Sequence, residues 1–184
     1  MKGILMFCCS ILLLIKLGVS NEPYVANAVD LYDAYQIACA EAIKWDKAAL
    51  PYFITSVDDS IDGGFTKGED GKRHCWNFDF VVENTNKHLI ITLHDKVIVN
   101  QIEAESSVNN DCIIDIEKLN ISTAEAVLIA KETYGLFPGA DWAQGYHFVL
   151  KKEGVTLVLA VVGLNESGKM SRVFFNAETG TVIG

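Results

Sequence analysis

Two stretches of this chain carry an apolar residue at every third or fourth position, and each is followed by segments in which apolar and polar residues alternate. That order limits the fold more than any other feature. A period of 3.6 residues marks a helix with one buried face, and a period of two marks a half-buried strand. In the first stretch Leu31, Tyr35, Ala38, Cys39, Ala42 and Trp45 share a helical face, with Asp30 placed as N-cap. In the second, Ser122 and Glu125 form a capping-box pair at the head of an apolar helix, and Gly135 supplies its stop. Strand-like segments follow the first helix at residues 52–57, 76–82, 88–94 and 96–102. Trp76, Phe78 and Phe80 alternate with Asn77 and Asp79, and Leu89, Ile91 and Leu93 repeat the pattern. After the second helix Tyr146, Phe148 and Leu150 alternate, residues 156–162 run apolar on both faces, and residues 170–175 follow a 165–168 turn.

The expected fold is therefore α+β: two similar units, each a helix packed on an antiparallel β-meander. The first unit spans residues 21–105, the second 121–184, and residues 106–120, with their Asn109-Asn110-Asp111 cluster, connect them. Aligning Trp76-Asn77-Phe78 with Tyr146-His147-Phe148 sets the two halves in register. The doubly apolar run 156–162 calls for cover on both sides, or for a central place where the halves meet. One shared core follows. The aromatic alternation on 76–80 reads as sheet core facing a helix, ahead of a ligand groove.

The second half resembles a PepSY-like domain, a small exported α+β module common in bacteria. The matching residues are Ser122-Thr123-Ala124-Glu125-Ala126 with Ile129-Ala130, the strand Tyr146-His147-Phe148, and the ending Phe175-Asn176-Ala177-Glu178-Thr179-Gly180-Thr181-Val182. The first half shares only the order of elements. The resemblance implies a non-catalytic extracytoplasmic module of a kind proposed to inhibit or regulate peptidases. A tandem pair is also similar in plan to the secreted β-lactamase inhibitory proteins.

The N-terminus agrees with export. Met1-Lys2, an apolar run from Gly3 to Ile15 and small residues at Gly18 and Ser20 read as a signal peptide over residues 1–20, cut before Asn21. The run is short of the roughly 20 apolar residues that span a bilayer, and Lys16 breaks its far end. The expectation is a secreted or periplasmic protein with no transmembrane segment in its mature chain. Cleavage removes two lysines and no acid, so the formal charge of −9 for the 184 residues falls to −11. So acidic a surface repels phosphate backbones and makes nucleic acid a poor partner. Cleavage also removes Cys8 and Cys9, leaving Cys39, Cys75 and Cys112. An oxidising compartment permits one bridge. Cys39 lies on the apolar helix face, which leaves Cys75 and Cys112 as the expected pair.

Catalytic motifs are lacking: no nucleophile elbow, phosphate loop, dinucleotide fingerprint or HExxH occurs. His88 and His94 share strand parity but stand about 20 Å apart, too far to share a metal. One stretch fits the calcium loop of an EF-hand, with Asp58, Ser60, Asp62, Gly64, Thr66 and Glu69 as oxygen ligands and Gly63 at the turn. An EF-hand needs a helix on each side, but the incoming residues 52–57 read as a strand and Gly68, Asp70 and Gly71 argue against an exit helix, so a Gly/Asp-rich hairpin tip without metal is favoured. The leading expectation is an exported non-catalytic binding module that contacts a protein partner, a peptidase in the family reading, with the acidic loop 58–70 as its candidate surface. A Ca2+-binding structural protein and an enzyme of unrecognised type are the alternatives.

Overall fold

The computed structural model describes residues 27–58, 67–140 and 143–183; the signal-peptide reading of residues 1–20 lies outside them. Helix α1 (Leu31–Trp45) begins where the Asp30 carboxylate accepts the Asp33 N–H at 2.9 Å. Helix α2 (Thr123–Tyr134) begins with the full Ser122–Glu125 capping box and ends at Gly135, whose φ of +61° suits glycine. Between the helices run β1 (Ala49–Val57), β2 (Cys75–Val82), β3 (Lys87–His94) and β4 (Val97–Glu105). After α2 come β5 (His147–Glu153), β6 (Thr156–Leu164) and β7 (Met170–Asn176).

All seven strands form one antiparallel sheet in the order β4-β3-β2-β1-β5-β6-β7. The two meanders meet at a short seam, where Phe53, Ile54 and Thr55 oppose Lys151, Leu150 and Val149. The register carries one inward row across the sheet: Ile91, Phe78, Ile54, Leu150, Leu159 and Phe175. Each is at most 1% exposed, and burying such a side chain contributes about 1.5–3 kcal/mol. Both helices lie on this face. Tyr35 of α1 stacks on Phe80 at 6.3 Å, and Lys131 of α2 stands over the Tyr146 ring. Buried residues from both helices and both meanders join in a single cluster. The α+β class and the shared core are as the sequence led us to expect, and Trp76, Phe78 and Phe80 belong to that core.

Three expectations are corrected. The doubly apolar run forms β6, second from the sheet edge and away from the centre. Its outward residues Val158 and Ala160 are only 2% exposed because they are small and flanked by longer neighbours, Ala160 by Val149 and Phe174. The alignment of Trp76-Asn77-Phe78 with Tyr146-His147-Phe148 sets β2 against β5, and the order of elements does not. The first strand after α2 is β5, the place β1 holds after α1, and these two strands pair.

The Cys75–Cys112 bridge does not form. Cys75 opens β2, whereas Cys112 ends a short turn (Asn110–Cys112) whose Asn110 bonds Asn84 beyond the other end of that strand. Eight strand residues separate those ends by about 23 Å, against the roughly 7 Å limit between bridged Cα atoms. The Cys112 thiol is free, as is that of Cys39.

Candidate functional site

Beyond Thr55 the β1 and β5 strands splay apart, and a polar cluster fills the wedge. Ser56 is the first member. Its Oγ, where the pairing would otherwise continue, accepts the Phe148 N–H at 2.9 Å. Ser56 is also small enough for the rings of Trp76 and Phe148, on the strands to either side, to stack at 6.1 Å. His147 comes next, with Nδ1 3.3 Å from Ser56 Oγ and Nε2 3.0 Å from Asp58 Oδ1, the latter off-line for a hydrogen bond. Asp58, just past the end of β1, accepts the Gln144 N–H on both carboxylate oxygens.

Arg73 closes the cluster. Its side chain is 4% exposed and donates to Asp58 Oδ1 at 3.0 Å, to the Gln144 carbonyl at 3.0 Å and to the Val57 carbonyl at 3.3 Å. It thereby ties the first half of the chain to the segment leading into β5. The same loop is fixed by its backbone: Lys67 accepts the Tyr146 N–H, and Gly71 abuts the start of α2 at Ala124.

Burial holds the His147 pKa below the ordinary imidazole value. The Arg73 guanidinium adds to this, while Asp58 and Ser56 pull the other way. The unfolded chain therefore takes up a proton near pH 6.5 while the folded chain resists it. The contribution is fully favourable above that pH and is lost as pH falls through and below it. Urea titrations from pH 7.5 to 5 are expected to show a shallower decline in stability for His147→Asn than for the parent chain.

Two shallow hollows on the helix-free face, of about 330 and 340 Å3, share His147, Ala143, Val162 and Met170. Arg172 and Thr55 line the second. A serine, a histidine and an aspartate together suggest acyl transfer, but the geometry is that of a clasp. Ser56 is 4% exposed, its Oγ is taken by a backbone N–H, and Arg73 holds the Asp58 oxygen that would serve the imidazole. The helix-free face bears Phe53, Ile90 and Ile102, exposed in one cross-strand row on β1, β3 and β4, and Met170, exposed at the hollows on β7. No described helix lies across it.

Of the six oxygen ligands expected for calcium, Ser60, Asp62, Gly64 and Thr66 lie outside the described residues. Asp58 and Glu69 are described. The Asp58 carboxylate serves Arg73 and Gln144, and Glu69 sits in a turn that precedes β2, near Tyr146. The flanking elements are the antiparallel partners β1 and β2, which is the hairpin setting. Among the described residues no group of three His, Cys, Asp or Glu side chains is arranged to hold a metal. His88 and His94 share the open face but keep separate partners. His88 Nδ1 lies 3.0 Å from Asp79, whose pKa burial raises; His94 stacks on His74, and both approach Asp95.

Sequence reasoning singled out Asp58 as a calcium ligand and passed over Ser56, Arg73 and Gln144. One signal was available. The chain has thirteen lysines and only two arginines, Arg73 and Arg172, and both border this site. A chain that meets its surface needs with lysine places arginine where a planar, multidentate donor is required.

No family model and no curated protein matches the chain. Among solved structures it is similar to a candidate lipoprotein from Clostridium difficile 630, with a TM-score of 0.51 and 10% sequence identity. The likeness covers 82% of this chain and 90% of that one, so it extends over both helix–meander segments. At this identity it shows a shared fold. Among the described residues, no helix is long and apolar enough to cross a membrane.

Proposed function

We propose that the chain is an exported, non-catalytic binding module of tandem PepSY-like plan, which engages a protein partner through the helix-free side of its sheet. The observation that carries this reading is the one-sided packing. Both helices cover one face; the other exposes Ile102, Ile90 and, across Asp79, Phe53 in one cross-strand row, with Met170 exposed separately at the hollows by His147. Exposed apolar residues grouped on one sheet face mark an interaction surface more often than chance scatter does. The basic-then-apolar start of the chain supports export. The locked geometry of Ser56 supports the absence of hydrolytic chemistry. A peptidase is the partner class that the PepSY-like ending suggests, and inhibition or regulation is the role. Calcium has only the spacing of the 58–69 loop in its favour, and the Asp58 carboxylate is already engaged by Arg73 and Gln144.

The test is partner capture from the extracytoplasmic fraction of the source cells, using residues 21–184 and the same chain carrying Phe53→Arg and Ile90→Arg. A specific protein held by the parent and lost by the variant, with its peptidase activity altered on binding, is the expected result. Equal capture by both chains, or no specific capture together with unchanged peptidase activity, would overturn the reading.

A further inference from the structure

The two edges of the sheet are treated differently. At β7 the chain covers its own edge: Val182 bridges to Phe175, Asn176 donates to the Thr181 carbonyl, and Ile183 donates to Phe174. At β4 nothing among the described residues does so. Ser106 N–H bonds Asn86 on the β3 side. By alternation Ala104 and Ile102 also turn their backbone groups inward, and Gln101, Glu103 and Glu105 turn theirs outward. Three residues with free N–H and C=O groups in a row are a template for another strand. β4 carries no proline and no lysine, the residues that commonly guard such an edge, and its only irregularity lies between its pairings with Thr92 and Leu93.

The side chains along this edge are sorted by face. Opposite Ile91, Leu89 and Lys87 stand Gln101, Glu103 and Glu105, on the helix side, where Gln101 also bonds Glu41 of α1. Opposite Ile90 and His88 stand Ile102 and Ala104, on the open side, with Ile102 49% exposed. An added strand would present alternate side chains to an acidic rim and to an apolar one. We infer that the β4 edge accepts an extended segment of a partner protein in which basic and apolar residues alternate, so that it joins the sheet as an eighth strand. Main-chain bonds supply affinity in this mode and the alternating side chains supply selection. A second copy of this chain is a poorer fit, since β4 paired with itself brings no base to either glutamate. The inference rests on the binding-module reading and adds the chemistry of the partner.

The probe is a nine-residue peptide alternating lysine and valine, compared at 150 mM salt with a block-ordered peptide of the same composition and with a Glu/Val alternating peptide. Binding to residues 21–184 is followed by fluorescence anisotropy, and its place by amide exchange. The expected result is at least tenfold tighter binding of the alternating basic peptide than of either control, with exchange slowed at Gln101, Glu103 and Glu105. Glu103→Pro deletes an outward N–H without touching the β3 pairing and should abolish this binding. Glu103→Lys with Glu105→Lys should shift preference to the acidic peptide. Equal binding of the block-ordered peptide, no binding, protection on another strand, or protection of β4 by self-association without peptide would each overturn the inference. Partner capture lost only on Phe53→Arg with Ile90→Arg would leave the binding-module reading standing without it.

Discussion

Replacing Arg73 by methionine is expected to lower the melting temperature of residues 21–184 by about 10 °C. The guanidinium is nearly fully buried and has bonds to Asp58 Oδ1 and to the carbonyls of Gln144 and Val57. Methionine fills much of the volume and answers none of these groups. Removing one partner of a buried ion pair costs about 3–5 kcal/mol, because the other charge is left without compensation. Asp58 keeps 27% of its side chain in contact with solvent, which moves the expectation to about 3 kcal/mol. At this chain length each kcal/mol corresponds to about 2–4 °C. Adding Asp58→Asn to the Arg73→Met chain should recover part of the loss by removing the stranded charge. A double variant no more stable than the single one would show that the carbonyls, and not the carboxylate, dominate the clasp. Thermal denaturation followed by circular dichroism reads all three proteins.

Gly71→Ala is expected to be at least as damaging, for a reason of space and backbone conformation. Gly71 has φ of +80°, and a Cβ there would lie 2.3 Å from the Ala124 nitrogen. The atoms in the way are backbone at the start of α2, which cannot turn aside as a long side chain would. A non-glycine residue at positive φ costs about 1 kcal/mol or more, and the forced backbone shift adds a further 1–3 kcal/mol or so. Gly154→Ala is the control. Its φ is +58°, but nothing lies within 4 Å of the added carbon. A loss of about 1 kcal/mol at Gly154 against about 3–4 kcal/mol at Gly71 is the expected outcome in urea titration. Equal losses would mean that the loop carrying Arg73 is not pressed onto α2.

Much of the fold was legible because local chemistry and tertiary packing agree. Asp30, Ser122, Glu125 and Gly135 cap helices by contacts with residues three to five places away, and such signals survive any arrangement of the rest. The alternation of Trp76, Phe78 and Phe80 names the buried face of β2 without knowledge of what covers it. The meeting of β1 with β5 carries no such local mark, so the doubly apolar β6 drew attention to the wrong strand as the centre. The clasp was hidden for the same reason. Ser56 and His147 stand 91 positions apart, and Asp58 and Gln144 86 positions apart. Asp58 instead looked like the first ligand of a calcium loop, because an aspartate followed by further acids and glycines reads alike in both settings.

The seam between β1 and β5 also sets the order in which the chain can assemble. Its hydrogen-bonded partners come from residues 53–55 and 149–151, and every strand of the first meander precedes α2. Until β5 arrives, β1 is an exposed edge that carries Phe53, and the Arg73 clasp has no Gln144 to hold. Contacts so distant along the chain make closure slow relative to the local hairpins. A chain delivered from its N-terminus would fold its first meander early and complete the sheet only after its last third is present. Chain ends cut short before residue 149 leave that inner edge bare, which makes truncation more hazardous for aggregation here than any single substitution on the surface.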